Sequence, residues 1–307
     1  MNLTFRQLKV FEAVARHLSY TRAAQELYLT QPAVSMQVKQ LEENVGLPLF
    51  EQVGKRIYLT EAGREMRHYC RTIAVQLEEI EGVIEQLKGG RRGHLRISVV
   101  TTANHFATRL LAEFVRDNSG ISFALDVTNR KKLLKQLTDN TCDLVIMGQP
   151  PAEMDVVAES FMENPLVVVA AQGHRLAGRE NIPFSALENE AFVTREEGSG
   201  TRIAMERFLG ERDIRIHRRM EMTSNEAIKQ AVEAGLGLGL VSLHALELEL
   251  ETGRLVMLDI EHFPIFRHWY VVYRKGKRLA PVAQAFRQFV HKEAKMLQKA
   301  ALLRGYK

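Results

Sequence analysis

The stretch from Thr30 to Gln40, reading TQPAVSMQVKQ, carries side chains of the kinds that read the edges of DNA bases. Val34, Val38, Leu41 and Val45 recur at the spacing of one buried helical stripe. At about 3.6 residues per turn, Pro32, Ser35, Met36 and Lys39 project away from that stripe, with Gln31, Ala33 and Gln40 on its flanks. Amides and hydroxyls on the leading turns of a helix suit the major groove, where each base pair presents its own donors and acceptors. The same spacing is also open to an ordinary amphipathic helix in a small bundle.

A second set of residues suits small anions. Thr101, Thr102, Asn104 and His105 follow an apolar run, as do Thr128, Asn129 and Arg130, and Gly148 with Gln149. Arg195, Ser199, Gly200, Thr201 and Arg202 lead into a helical pattern, and Thr223, Ser224 and Asn225 into another. Ends of strands beside helix N-termini offer free N–H groups and hydroxyls to a carboxylate or phosphate. Any one of these stretches alone is equally a helix cap. Arg195 and Arg202 either neutralise an anion or pair with Glu196, Glu197 or Glu206.

The elements that position the first set come before and after it. Residues 2–18 read as a helix burying Leu3, Leu8, Phe11, Val14 and Ala15. From Ser19 a second short helix carries Ala23 and Ala24, small enough for another helix to approach, and Leu27 and Leu29 flank the turn. Thr30 is a natural N-cap, Pro32 fits a first helical turn, and Gly46 and Pro48 stop the helix. Leu49 to Thr60 reads as two short strands around Gly54-Lys55, a wing with Lys55 and Arg56 at its tip for phosphate or the minor groove. Residues 1–60 hold seven Lys/Arg against five Asp/Glu, so charge alone makes this a weak DNA ligand.

From Ala62 to about Lys88, Met66, Ile73, Ile80 and Leu87 fall seven apart with Cys70, Leu77 and Ile84 between them. Such a seam implies a long helix pairing with another chain. The run Gly89-Gly90-Arg91-Arg92-Gly93 then reads as a hinge.

Beyond the hinge the period changes. Strands are expected at 94–100, 123–127, 143–147, 166–171, 191–194, 219–222, 238–242 and 268–273. Helices alternate with them at 106–115, 131–137, 201–209, 224–233 and from Pro281 onward. The alternation implies an α/β fold with parallel strands and right-handed crossovers. Gly235-Leu236-Gly237-Leu238-Gly239 imitates a dinucleotide loop, but it follows a helix and opens a strand, the reverse of what phosphate binding needs.

At 307 residues, two or three domains are expected. The net charge of +5 permits a polyanionic partner without requiring one. Two separated cysteines, Cys70 and Cys142, make neither a disulfide framework nor a metal site, and no catalytic Ser-His-Asp or carboxylate set stands out. No enzyme activity, metal or cofactor is therefore expected. The N-terminus has no signal-peptide pattern and no apolar run reaches a membrane span, which points to a cytoplasmic protein.

Ala23-Ala24, Gln31-Pro32-Ala33-Val34-Ser35, Leu41-Glu42, Gly46, Leu49-Phe50 and Leu59-Thr60-x-Ala62-Gly63 together resemble the signature of LysR-type transcriptional regulators. The family commonly has a basic residue where Met36 stands and an Arg at Gln52. The resemblance implies a winged helix-turn-helix at 1–60, a dimerising linker helix at 61–90, and a periplasmic-binding-protein-like effector domain at 91–307. Its lobe I would comprise about 91–162 and 266–307, and lobe II about 163–265. It also implies that the anion-suited stretches converge on one cleft.

Within that family, residues 223–232 (TSNEAIKQAV), 246–250 (LELEL) and 263–270 (FPIFRHWY) resemble regulators of Calvin-cycle (RuBisCO) operons, as does 49–55, where Gln52 is normal. That likeness implies a sugar phosphate, phosphoenolpyruvate or NADPH as effector. The implied partners are double-stranded DNA, a second copy of the chain in a dimer or tetramer, and RNA polymerase. A LysR-type regulator of another pathway, and more distantly a solute-binding protein, are the alternatives.

Overall fold

The computed structural model describes residues 2–54, 56–87 and 93–305. Lys55 of the expected wing tip and Gly89, Gly90, Arg91 and Arg92 of the expected hinge lie outside the described residues. The chain divides into two compact units, the first ending near Ile84. No helix among the described residues is long and apolar enough to cross a membrane.

The first unit is built from α1 (Phe5–His17), α2 (Tyr20–Glu26) and α3 (Gln31–Val45), a hairpin of β1 (Phe50–Val53) and β2 (Arg56–Leu59), and most of α4 (Glu61–Leu87). A capping box starts α1: the Thr4 hydroxyl accepts from the Gln7 amide, and the Gln7 side chain accepts from the Thr4 amide. Ser19 caps α2 in the same sense, whereas Thr30 sits at the cap position of α3 without making a side-chain bond. Pro32 sets the first turn there instead. Val10, Val14, Ala23, Ala24, Val34 and Val38 form the core between the three helices.

The residues after α3 are held by specific bonds. The Glu42 carboxylate accepts from the Leu49 and Phe50 amides at 2.7 and 3.1 Å, tying the hairpin to α3. The Thr60 hydroxyl donates to Pro48 O at 2.7 Å and accepts from the Gly63 amide at 3.0 Å. A Cβ at Gly63 would stand 2.0 Å from Leu49 O. Gly63→Ala is therefore expected to destabilise the unit by about 3 kcal/mol, read as a lower melting temperature. An unchanged melting temperature would mean that α4 and the hairpin are free to part.

The heptad pattern on α4 divides in two. Cys70 is buried with Leu8, Phe11, Leu41 and Leu49, and Met66 and Ile73 pack on the same cluster. This half of the expected intermolecular seam is consumed within the chain. Burial pushes the Cys70 thiol up to about 12, as suits an apolar filler. Leu77, Ile80 and Ile84 remain 38%, 54% and 45% exposed.

The second unit has two lobes, each around a five-stranded sheet. Its elements in order are β3 (Gly93–Val100), α5 (Asn104–Asp117), β4 (Ile121–Thr128), α6 (Arg130–Thr138), β5 (Leu144–Met147), β6 (Val156–Glu163), β7 (Leu166–Ala171), β8 (Ala191–Arg195), α7 (Gly200–Gly210), β9 (His217–Met222), α8 (Asn225–Glu233), β10 (Leu238–Ser242), α9 (Glu247–Glu251), β11 (Leu255–Met257), β12 (His268–Arg274) and α10 (Pro281–Gly305). The sheet orders are β4-β3-β5-β12-β6 and β11-β7-β10-β8-β9. Both sheets are mixed: the expected parallel strands are present, and antiparallel strands that the alternation does not imply join them. β3 runs parallel to β4 and β5, and β8 parallel to β9 and β10, but β12 and β7 run antiparallel to their neighbours.

Helices cover both faces of each sheet, so the inner strands are apolar throughout. In β7, Leu166, Val168 and Ala170 enter one core while Val167 and Val169 enter the other. The Gly235–Gly239 run ends α8 and opens β10, as its position in the sequence implies. Two crossing segments join the lobes and pair with each other. The Asn164 amide donates to Arg267 O at 2.7 Å, and the Leu166 amide to Ile265 O at 2.9 Å.

Candidate functional site

On α3, Gln31, Pro32, Ser35, Met36 and Lys39 are exposed and Ala33 is half-buried, while Val34, Val38 and Leu41 face the core. The exposed face thus keeps two amides with Gln40, one hydroxyl, one thioether and one ammonium in a row that no other part of the unit covers among the described residues. Arg56, on the hairpin strand that follows the tip, is exposed as well. Tyr28, in the turn before α3, is 96% exposed with φ +54°.

In the second unit a cleft between the lobes is lined by Val100, Thr101, Thr102, Arg130, Gly148, Asn164, Arg195, Glu196, Ser199, Gly200, Thr201, Arg267 and Trp269. Eight of the residues named from sequence therefore come together here: Thr101, Thr102, Arg130, Gly148, Arg195, Ser199, Gly200 and Thr201. They arrive from the C-terminal ends of β3, β5 and β8 and from the N-termini of α6 and α7, where the backbone N–H groups of the first turn are without intrahelical partners.

The others stand around the cleft rather than in its lining. Asn225 accepts from Arg195 at 2.8 Å, and Gln149 O accepts from Arg130 at 2.9 Å, so both hold cleft arginines. Thr223 O accepts from Arg195 at 3.4 Å. Asn129 caps α6 by accepting from the Lys132 amide, Thr128 is buried at the end of β4, and Asn104 accepts from the Thr108 hydroxyl. His105 lies 3.5 Å from Glu226, and burial, then nearby Lys229, push its pKa down. Arg202 pairs with Glu206 and Glu221, away from the lining.

The arginines in the cleft differ in kind. Arg195 is 4% exposed and its donors are engaged by the protein: both carboxylate oxygens of Glu196 at 2.7 and 2.8 Å, Asn225, and the hydroxyls of Thr101 and Thr102 at 3.4 and 3.5 Å. It ties lobe II to lobe I, and its charge is matched. Arg130 and Arg267 have no carboxylate partner among the described residues. Arg267 donates to Gly200 O, and its guanidinium lies against Gly148 and Gly200. A Cβ on Gly200 would sit 3.5 Å from Arg267 Nη1 and 3.9 Å from Arg130 Nη1, so both cations converge on the start of α7. Burial, then Arg130 and Arg207, push the Arg267 pKa down, and burial does the same to Arg130. An anion placed there would relieve both effects.

Sequence reasoning did not select Arg267, Asn164 or Trp269 as site residues, and it named Arg130 only as the end of a stretch. The first three sit on or next to the crossing segments, Asn164 just after the end of β6 and Arg267 and Trp269 at the start of β12.

Comparison with known proteins agrees with this geometry. Residues 5–64 match the bacterial regulatory helix-turn-helix proteins of the lysR family, and residues 88–295 match the LysR substrate binding domain. The RuBisCO operon transcriptional regulator of Allochromatium vinosum is 60% identical over 96% of this chain and 97% of its own length. The transcriptional regulator CbbR of Rhodospirillum rubrum is 49% identical over 94% and 96%. Among solved structures, the Synechocystis CcmR regulatory domain in complex with 2-PG is 43% identical, with a TM-score of 0.64 over 66% of this chain and 98% of that one. With a DNA-reading unit followed by a cleft-bearing α/β domain, the chain belongs to the LysR family of bacterial transcriptional regulators.

Proposed function

We propose that the chain is a sequence-specific DNA-binding regulator of carbon-fixation operons, controlled by a small phosphorylated or carboxylated metabolite held between its lobes. The observation that carries the effector reading is the pair of half-buried guanidinium groups, Arg130 and Arg267, that converge on the α7 N-terminus without a carboxylate partner among the described residues. Such a site favours a dianion, because two fixed charges and a helix N-terminus act together. The relatives' names support the carbon-fixation role, and the CcmR domain's complex supports 2-phosphoglycolate as the first candidate. A sugar bisphosphate, phosphoenolpyruvate and NADPH are the other ligands to try.

In this reading Gln31, Pro32, Ala33, Ser35, Met36 and Lys39 read bases, while Lys55 and Arg56 supply phosphate contacts. The DNA-reading domain spans about 1–60, the linker helix 61–90 and the effector domain 91–307. Two copies pair through the exposed half of α4, further pairing gives a tetramer, and the assembly works on DNA in the cytoplasm with RNA polymerase. The effector acts by preferring one arrangement of that oligomer, which changes how two half-sites are held.

Footprinting on the DNA upstream of a carbon-fixation operon, with and without 2-phosphoglycolate, tests the whole reading. A footprint that no phosphorylated metabolite alters would remove the effector role. Gln31→Ala and Ser35→Ala are each expected to weaken operator binding by about 1–3 kcal/mol while leaving binding to random DNA nearly unchanged. Equal loss on both DNAs, measured by fluorescence anisotropy, would mean that α3 does not read sequence.

A further inference from the structure

We propose that Trp269 contacts the effector directly, its indole N–H donating to an oxygen of the bound anion. The inference rests on the anion-site reading of the cleft given above. Trp269 is 1% exposed, and its Nε1 is buried without a hydrogen-bond partner among the described residues. The carbon surface of the ring is well used: it packs on Phe106 with centroids 5.2 Å apart. The nitrogen is therefore the unexplained part, since a buried donor normally finds an acceptor and leaving it bare is costly. Phenylalanine would supply ring packing without that penalty.

Position identifies the missing acceptor. Trp269 lines the cleft together with Arg267, two residues earlier on the same extended segment and so on the same face. Around them the cleft presents guanidinium groups, hydroxyls and the α7 N-terminus, a surface rich in donors. One carboxylate, Glu196, lines it too, but it is engaged by Arg195. An anion seated against Arg130 and Arg267 brings oxygen acceptors into a place where the indole N–H has none. The bond would favour ligands that carry a second oxygen-bearing group beside the one held by the arginines. Inorganic phosphate carries a single oxygen-bearing group, whereas 2-phosphoglycolate has a carboxylate and a phosphate.

The test uses the full chain with 2-phosphoglycolate and inorganic phosphate as probes, read by calorimetry and by the indole N–H resonance. Trp269 is the only tryptophan, so 15N-labelled protein gives a single indole cross-peak. On saturation with 2-phosphoglycolate that peak should move downfield, as a new hydrogen bond requires. Trp269→Phe should weaken 2-phosphoglycolate about tenfold or more and change the affinity for inorganic phosphate much less. Should the variant fail to fold, the cross-peak of the wild-type chain decides alone. An unmoved peak in a chain that binds the probe overturns the inference, even if Trp269→Phe binds weakly, because the loss then comes from packing. Equal weakening toward both probes overturns the selective role. If neither probe binds the wild-type chain, the anion-site reading falls together with this inference. If both bind and depend on Arg267 but not on Trp269, only the inference falls.

Discussion

Arg267→Gln should weaken 2-phosphoglycolate binding by about a hundredfold and yet leave the ligand-free chain at least as stable as the wild type. The two effects have one cause. Arg267 is held between Gly148 and Gly200, donates to a backbone carbonyl, and faces Arg130 with no acid to match either charge among the described residues. Burial and the neighbouring cations already disfavour its charged form. Removing the charge takes away that repulsion and also takes away the main electrostatic partner of an anion. Gln keeps a neutral amide NH2 group but is shorter than Arg, so the relief of repulsion is set against the bond to Gly200 O. Calorimetry gives the affinity and thermal unfolding gives the stability. A variant that binds normally would move the anion site elsewhere, and one that melts well below the wild type would make Arg267 a structural residue. The contrast is Arg195, whose donors are already taken by Glu196, Asn225 and the threonine hydroxyls, so that it has little to offer a ligand without breaking contacts between the lobes.

That contrast marks how far the amino-acid sequence could be read. The alternation of Val34, Val38 and Leu41 against Gln31, Ser35 and Lys39 is a local property, and so the proposed reading helix was visible from spacing. The cleft's first ring was visible for a related reason. Thr101, Thr102, Ser199, Gly200 and Thr201 all stand where a strand ends or a helix starts, and those places can be found from the apolar runs. Arg267 cannot be found that way, since it lies 67 residues from Gly200 on a crossing segment whose only local sign is a Pro nearby. Choosing between Arg195 and Arg267 required the three-dimensional partners, because a sequence shows which acids exist but not which cation each acid neutralises. Glu196, adjacent in sequence to Arg195, proved to be its partner.

The strand β6 was missed for a different reason. VVAESFME alternates irregularly because the strand pairs on one side alone, at the edge of its sheet, and carries Glu159 in a half-buried network with Tyr273, Arg287 and His291. The inner strands LVIM and LVVVAA lack polar interruptions and were plain. Mixed strand direction was equally illegible: β12 returns to the first sheet after a full lobe has been built, and nothing in HWYVVY records the sense in which it runs.

The double substitution Ile80→Asp with Ile84→Asp is expected to separate the proposed dimer and to weaken operator binding by about a hundred- to ten-thousandfold. The periodic pattern on α4 is continuous from Met66 to Ile84, but the fold assigns its two ends different tasks. Met66, Cys70 and Ile73 close the core of the DNA-reading unit, so an acid there would bury an unpaired charge and unfold the unit. Leu77, Ile80 and Ile84 are left exposed one helical turn apart, a stripe narrower than a globular core needs and matched to another helix of the same kind. Two carboxylates on that stripe would be desolvated and would face their own copies across a two-fold axis. The chain should then elute as a monomer while its melting transition for the first unit stays near that of the wild type. The loss on DNA follows from tethering. Residues 1–60 carry only a small excess of positive charge, so a single unit binds weakly, and joining two makes the second half-site contact effectively intramolecular. Half-site probes should therefore bind the variant and the wild type alike, and only the full operator should distinguish them. A variant that stays dimeric by light scattering, or that loses half-site binding to the same degree, would show that the exposed half of α4 is not what joins two readers.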